Sequence, residues 1–316
     1  MRAMAIEEFG DADTITELDL PDPKLGPDGV LIAVAAAGVN PVDFKVREGK
    51  LAEAFPYRFP LILGWDVAGT VQEVGPAVTT VGKGDAVMAY ARKHVLSEGT
   101  YAELVTVTEQ MVAPAPASIE VQDAAGLPLA GLTAWQAIEK MDIERGSTVL
   151  VHGAAGGVGH LAVQIAVDRG LEVIGTASAR NHDAVRALGA SEVVDYRETD
   201  VVAAVRELRP DGVDAVFDLF GGEAQQQSLS VLRRGGHLVS LANPPDPDAC
   251  EQHGVLGHYV FVRPDGEQLA GLATMIDAGS IRPDIAERSP VDQAADAHRR
   301  QEDGHVRGKQ VLTVGS

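Results

Sequence analysis

Chemistry in this chain is first signalled by glycine. In VLVHGAAGGVGHLAVQIAV, Val149 to Val167, four glycines and two alanines separate an apolar strand-like run from a helix-like one. Ala154, Gly156 and Gly159 occupy the three small positions of a dinucleotide fingerprint, with alanine in place of the first glycine. Side chains are missing where a pyrophosphate would rest on the N-terminus of the following helix, so Ala155, Gly156, Gly157 and Val158 are the expected backbone contacts. A tight turn with close packing would explain an isolated glycine cluster equally well. The strand-turn-helix context favours a cofactor. An NAD site places Asp or Glu at the end of the second strand, whereas EVIGTASARNHD offers Thr176, Ala177 and Ser178, with Arg180 just beyond. Ser178 and Arg180 can donate to a 2'-phosphate, and Tyr196 ends the third strand near the same place. The expected cofactor is therefore NADP(H), with Phe220 and Leu241, on later strand ends, completing its contacts.

The elements that must position these residues show in the periodicity. TVLVHG, EVIGTA, EVVDY, DAVFDLF, GHLVSLA and HYVFV are six strand candidates, separated by helical stretches such as GHLAVQIAVDRG and NHDAVRALGA. That alternation predicts a doubly wound parallel sheet, an α/β Rossmann domain over residues 119–264. Residues 3–117 instead carry short β-like runs broken by turn clusters, among them TITELDL, VLIAVAAAGV, VAGTVQEVG and TYAELVTVT, and predict an antiparallel, barrel-like domain. GEQLAGLATMIDAG predicts a helix leading to KQVLTV, a last strand able to rejoin that barrel, so residues 265–316 are grouped with residues 1–118.

Composition narrows the class. The chain has 316 residues, 45% of them hydrophobic, a mean hydropathy near zero and a net charge of -20. It can bury a full core, and its acidity disfavours nucleic acid and anionic membranes as partners. Its longest apolar runs are about half the roughly 20 residues of a membrane span, and the start MRAMAIEEFG lacks a signal-peptide core. The single cysteine, Cys250, excludes an intrachain disulfide and fits a cytoplasmic protein. Cys250, His253 and His258, with Asp246 and Asp248, could gather a metal only through irregular spacing, and no metal is expected.

GVNPVDFKVREG, LGWDVAGTVQEVG, GTYAELV, LPLAGLTAWQAI, HGAAGGVG and GKQVLTV follow one another in this order. Together they resemble the medium-chain dehydrogenase/reductase superfamily, in its zinc-independent quinone oxidoreductase (zeta-crystallin-like) branch. The resemblance implies a GroES-like catalytic domain made by both chain ends, a Rossmann domain inserted between them, and commonly a homodimer, here through HYVFV. Zinc-dependent relatives carry cysteine and histidine where this chain has Asn40 and Trp65, neither a usual zinc ligand. Without that Lewis acid a conjugated acceptor is the easier substrate, because charge delocalises as hydride arrives. The expected activity is NADPH-dependent reduction of a quinone or an enone. An enoyl-thioester reductase and a non-catalytic NADPH-binding structural or regulatory protein are the alternatives.

Asn40, Lys45 and Tyr57 are the candidate catalytic residues. Asn40, Pro41 and Asp43 fit the N-cap, N1 and N3 positions of a helix, while the resemblance also puts Asn40 beside the nicotinamide. Lys45 stands where quinone reductases often have tyrosine; it could donate to a substrate oxygen or pair with a carboxylate. Tyr57 and Tyr259 are possible donors. Thr133 resembles a position contacting the cofactor's ribose-phosphate region.

Overall fold

The structure is a computed structural model and describes residues 1–304 and 306–315. Two compact units form, Met1–Leu132 with Arg263–Ser316, and Thr133–Val262. The first boundary falls later than 118/119, inside the helix Pro128–Met141. Residues before it are tied to the first unit, since Ser118 N–H donates to Asp277 and Leu129 N–H to Asp66.

The first unit contains β1 (Arg2–Ile6), β2 (Thr16–Asp19), β3 (Gly29–Val39), β4 (Leu61–Ile62), β5 (Asp66–Val74), β6 (Ala86–Tyr90), β7 (Leu104–Thr108) and β8 (Val112–Pro114). The long β3 follows from its period-two pattern: Val30, Ile32 and Val34 are buried and pack with Val67, Val71, Val87 and Val105. It pairs antiparallel with both β5 and β7.

The second unit holds β9 (Thr148–Val151), β10 (Glu172–Thr176), β11 (Glu192–Val194), β12 (Val213–Asp218), β13 (Leu232–Ser240) and β14 (Leu256–Tyr259). All pair in parallel, in the order β11-β10-β9-β12-β13-β14. That is the doubly wound Rossmann order, whose central reversal leaves a crevice at the carboxyl ends of the strands. Leu150, Ile174, Val194 and Val216 supply apolar core from four of these strands.

The last strand candidate is displaced. HYVFV spans residues 258–262, but β14 runs from Leu256 to Tyr259. Its register is set by β13, with His237 opposite Leu256 and Ser240 opposite Tyr259. Since β13 stops at Ser240, its neighbour stops with it, and Phe261 is half exposed. The remaining strands, β15 (Ile285–Pro290) and β16 (Lys309–Thr313), return to the first unit, where β16 lies antiparallel to β3. No helix among the described residues is long and apolar enough to cross a membrane.

Candidate functional site

In the second unit the glycine turn joins β9 to the helix Gly159–Asp168. Gly153 adopts φ +59°, open to glycine at little cost, and its N–H donates to Thr176 Oγ1. Ala154 is accommodated at the first small position because the next strand carries Gly175 beside it. A Cβ there would lie 2.8 Å from the Ala154 methyl. Gly159 packs still more closely, since a Cβ would meet the Gly153 carbonyl oxygen at 2.1 Å. Val158 at the N-cap makes no side-chain cap bond. Among the described residues the N–H groups of Ala155, Gly157 and Val158 find no backbone acceptor. They and the helix dipole form a concentrated array of donors, which fits an anionic pyrophosphate.

The segments flanking this turn are held by two carboxylates that the sequence reading missed. Asp195 accepts the N–H of Ala179 at 2.8 Å and that of Arg197 at 2.9 Å, which joins the Ser178–Arg180 segment to the Tyr196 segment. Ser178 is buried, while Arg180 and Tyr196 are exposed. Asp218, wholly buried at the end of β12, accepts from Phe220 and Gly221 N–H, Gln225 Nε2 and Ser240 Oγ. It thereby fastens the loop carrying Phe220 to the end of β13, beside Leu241, whose own N–H donates to the Asp218 carbonyl.

Between these loops lies a cavity of ≈ 400 Å³ whose lining includes Leu150, His152, Thr176, Tyr196 and Phe220. Ser228 donates to the Ala224 carbonyl, so the His152 hydrogen sits on Nε2 and points at Ser228 Oγ, 2.9 Å away. Burial lowers the His152 pKa against the pull of Asp218, which keeps the ring neutral. Tyr196 and Phe220 are 47% and 64% exposed, large aromatic faces available to a planar ring. Thr133, where this unit begins, is buried.

In the first unit the helix Pro41–Arg47 starts as expected, with one difference. Asp43 Oδ2 accepts the Asn40 N–H at 2.8 Å in a capping-box arrangement, but the Asn40 amide has its strong hydrogen bonds elsewhere. Its Nδ2 donates to Asp66 Oδ2 at 2.8 Å and its Oδ1 accepts from Lys309 Nζ. Lys309 also donates to the Val39 carbonyl, and Asp66 Oδ1 accepts the Leu129 N–H. Burial raises Asp66 to about 6 although Lys309, Asn40 and Leu129 pull it down. Burial also raises Asp43, to about 7, with the Asp66 charge adding to the rise. Lys309 is lowered by burial against the attraction of both carboxylates.

Asp43 continues into a second chain of polar groups. Arg47 has only donors, so the 3.4 Å contact of its Nη1 with His298 makes Nδ1 an acceptor and places the ring hydrogen on Nε2. That nitrogen lies 3.3 Å from the Tyr101 hydroxyl, which donates to Asp43 Oδ2 at 3.2 Å. Burial, with the Arg47 charge, lowers His298 to about 3. Folding therefore keeps this ring neutral where the unfolded chain would protonate it, and the stability so contributed is lost as pH falls from about 6.5 toward 3. The stability gap between wild type and His298→Gln is expected to narrow by about 3 kcal/mol between pH 6.5 and 4. Urea unfolding across that range measures it, and a constant gap would show that His298 titrates normally.

Lys45 is exposed and forms no ion pair among the described residues. Tyr57 is 40% exposed and packs in an aromatic trio with Phe9 and Phe59. Tyr259 lies on the edge strand β14. Trp65 is buried between Phe55 and Tyr90, its ring 6.2 and 6.1 Å from theirs. With Asn40 fastened to Asp66 and Lys309, neither position offers a zinc ligand. Among the described residues no three His, Cys, Asp or Glu side chains cluster to hold a metal.

A Rossmann sheet with a turn of unpaired N–H groups, in a segment inserted in the sequence between the two parts of a β-rich unit, is the architecture of a dinucleotide-dependent oxidoreductase. Residues 26–117 match the family of alcohol dehydrogenase GroES-like domains, and residues 188–312 match the family of zinc-binding dehydrogenases. The chain is 34% identical over 321 residues to the chloroplastic NADPH-dependent alkenal/one oxidoreductase of Arabidopsis thaliana, covering 99% of this chain and 79% of that one. A solved quinone oxidoreductase from Coxiella burnetii superposes with a TM-score of 0.90 at 35% identity, covering 100% of this chain and 99% of that one. The Escherichia coli quinone oxidoreductase, solved with NADPH, gives 0.88 at 26% identity, covering 99% and 100%. The chain belongs to the medium-chain dehydrogenase/reductase superfamily, in its zinc-independent quinone oxidoreductase branch.

Proposed function

We propose that this protein is an NADPH-dependent reductase of quinones or of electron-poor C=C bonds. The observation that carries the reading is the β9 turn, where orphaned N–H groups meet an absence of side chains, in a chain with no acid at the end of β10. Ala155, Gly156, Gly157 and Val158 would hold the pyrophosphate by their backbone. Ser178, Arg180 and Tyr196 would hold the 2'-phosphate, the first by its hydroxyl and the second by a charged fork. Phe220, Leu241, Thr133 and Asn40 complete the proposed cofactor contacts. Bound NADPH supplies hydride. Asn40, Lys45 and Tyr57 face the acceptor in this reading, with the Lys45 ammonium free to stabilise negative charge on a carbonyl oxygen as it develops.

Asparagine and tryptophan at the zinc-ligand positions favour a conjugated acceptor, in which hydride enters the β-carbon and a proton the α-carbon. The test uses NADPH deuterated at the transferred position with methyl vinyl ketone, the product being read by NMR. Label on the former β-carbon is expected. Label on the carbinol carbon would make the protein a carbonyl reductase and end this reading.

The same reading makes the protein a homodimer through β14. Support comes from its edge position and from the exposed Leu256 and Tyr259 on it, with Phe261 exposed just beyond its end. Light scattering at micromolar concentration is expected to give twice the 33.2 kDa chain mass. A monomer's mass would refute it.

A further inference from the structure

The pair Asp66 and Lys309 is placed where a fold gains little from charge. Lys309 is 3% exposed and Asp66 not at all, and their closest approach is 4.0 Å, long for an ion pair. An apolar pair of similar volume commonly holds such a position at no loss of stability. What the charged pair supplies, and an apolar one does not, is the direction of the amide between them. Lysine has no acceptor and a carboxylate no donor, so Asn40 sits with Oδ1 toward Lys309 and Nδ2 toward Asp66. The reversed amide would set N–H against ammonium and oxygen against carboxylate. Three further bonds fix the frame: Lys309 to the Val39 carbonyl, Leu129 N–H to the other Asp66 oxygen, and Asn40 N–H to Asp43. Asn40 is thus held at its backbone and at both ends of its amide. One Nδ2 hydrogen goes to Asp66, and the second has no acceptor among the described residues.

We propose that Asp66 and Lys309 are positioning residues that lock the Asn40 amide so that its remaining Nδ2–H is the donor offered to a ligand carbonyl oxygen. The oxygen belongs either to the nicotinamide carboxamide or to the acceptor. This rests on the proposed reductase function, in which Asn40 borders the reacting groups. A lock also explains the double use of the Asp66 carboxylate: one side chain ties the amide to the first turn of the helix Pro128–Met141, so the donor direction is referred to a rigid element.

A mutant cycle separates positioning from packing. Lys309→Met and Asn40→Ala are made singly and together, with NADPH affinity measured by fluorescence and kcat and KM measured with methyl vinyl ketone. Lys309→Met is expected to worsen one of these at least ten-fold when Asn40 is present and less than two-fold in Asn40→Ala, because its effect passes through Asn40. A loss in NADPH affinity identifies the cofactor's carboxamide; a loss in kcat with NADPH affinity intact identifies the acceptor's carbonyl. Losses that multiply in the double variant, or no loss in a folded Lys309→Met, overturn the proposal. If the uncompensated Asp66 charge prevents folding, Asp66→Asn with Lys309→Met removes both charges at nearly constant size and enters the cycle instead. A wild-type protein that binds NADPH but reduces neither an enone nor a quinone defeats the reductase reading alone. The cycle is then decided by NADPH affinity and by the Asn40 side-chain amide resonances, assigned by their absence in Asn40→Ala. Those should be shifted from random-coil positions and protected from solvent exchange in wild type, and should move toward random-coil shifts and exchange faster in Lys309→Met; identical spectra in both would overturn the lock.

Discussion

Replacing Arg47 by leucine is expected to cost about 3–5 kcal/mol of stability in the first unit, the range for removing one partner of a buried charged network. The guanidinium is 1% exposed and uses its fork in several directions at once. Nε donates to the Gly10 carbonyl at 3.0 Å, Nη1 to Glu302 at 2.6 Å, and the same Nη1 faces His298 Nδ1. These partners come from the N-terminal loop and from the helix Ala294–Glu302, so one side chain fastens both ends of the chain to the helix Pro41–Arg47. Leucine fills part of the volume but leaves the half-buried Gly10 carbonyl and the buried His298 nitrogen without a donor. Lysine keeps the charge yet cannot span three directions, and it should recover less than half of the loss. The chain has two tryptophans, and Trp65 lies in the first unit, so urea unfolding followed by fluorescence in a Trp135→Phe background reads that unit alone. A loss under about 1 kcal/mol would mean that the network is looser than its distances indicate.

What the sequence made legible, and what it concealed, divides by range. The glycine turn and the six alternating strands are local patterns, written within ten or twenty residues and enforced by backbone geometry, and the structure follows them. HYVFV misled because its apolar content is local whereas its pairing is dictated by where β13 ends. The helix start at Asn40 was half legible: spacing placed Asp43 correctly, but no spacing rule directs the Asn40 amide to Asp66 and Lys309. Lys309 reads in sequence like any surface lysine. It is buried only because β16 lies along β3, a pairing across some 270 positions, and Tyr101 and His298 meet across 197. Asp218 and Asp195 were hidden for another reason. Asp195 and, for the Phe220 loop, Asp218 accept from backbone N–H groups, a use of carboxylates that leaves no residue-type signature at the partner. Sequence thus named residues at the surface of the proposed cofactor site, while the buried groups that hold those residues in place appeared only with the structure.

Two glycines of the β9 turn, Gly156 and Gly159, should fail in different ways when alanine replaces them, because only one is confined by the protein itself. At Gly159 a Cβ would lie 2.1 Å from the Gly153 oxygen, 2.8 Å from its carbonyl carbon and 2.9 Å from the Ala154 Cα. All three are backbone atoms, so the helix Gly159–Asp168 must move away from the end of β9. Overpacking of that kind costs about 1–3 kcal/mol, and displacing the helix N-terminus takes its N–H groups out of line with a pyrophosphate. Gly159→Ala is therefore expected to lower thermal stability and to weaken NADPH binding by about a hundred-fold or more, which is roughly 2.7 kcal/mol. At Gly156 a Cβ would approach only the Gly153 oxygen, at 3.3 Å, a contact relieved by a few tenths of an ångström. Gly156→Ala should leave stability within about 1 kcal/mol of wild type. If a phosphate approaches the backbone there, the new methyl intrudes on the ligand, and NADPH affinity should still fall more than ten-fold. Fluorescence titration with NADPH beside thermal unfolding of both variants gives the comparison. Unchanged NADPH affinity in a stable Gly156→Ala would mean that the glycines serve helix-strand packing alone, and the pyrophosphate would have to be placed elsewhere.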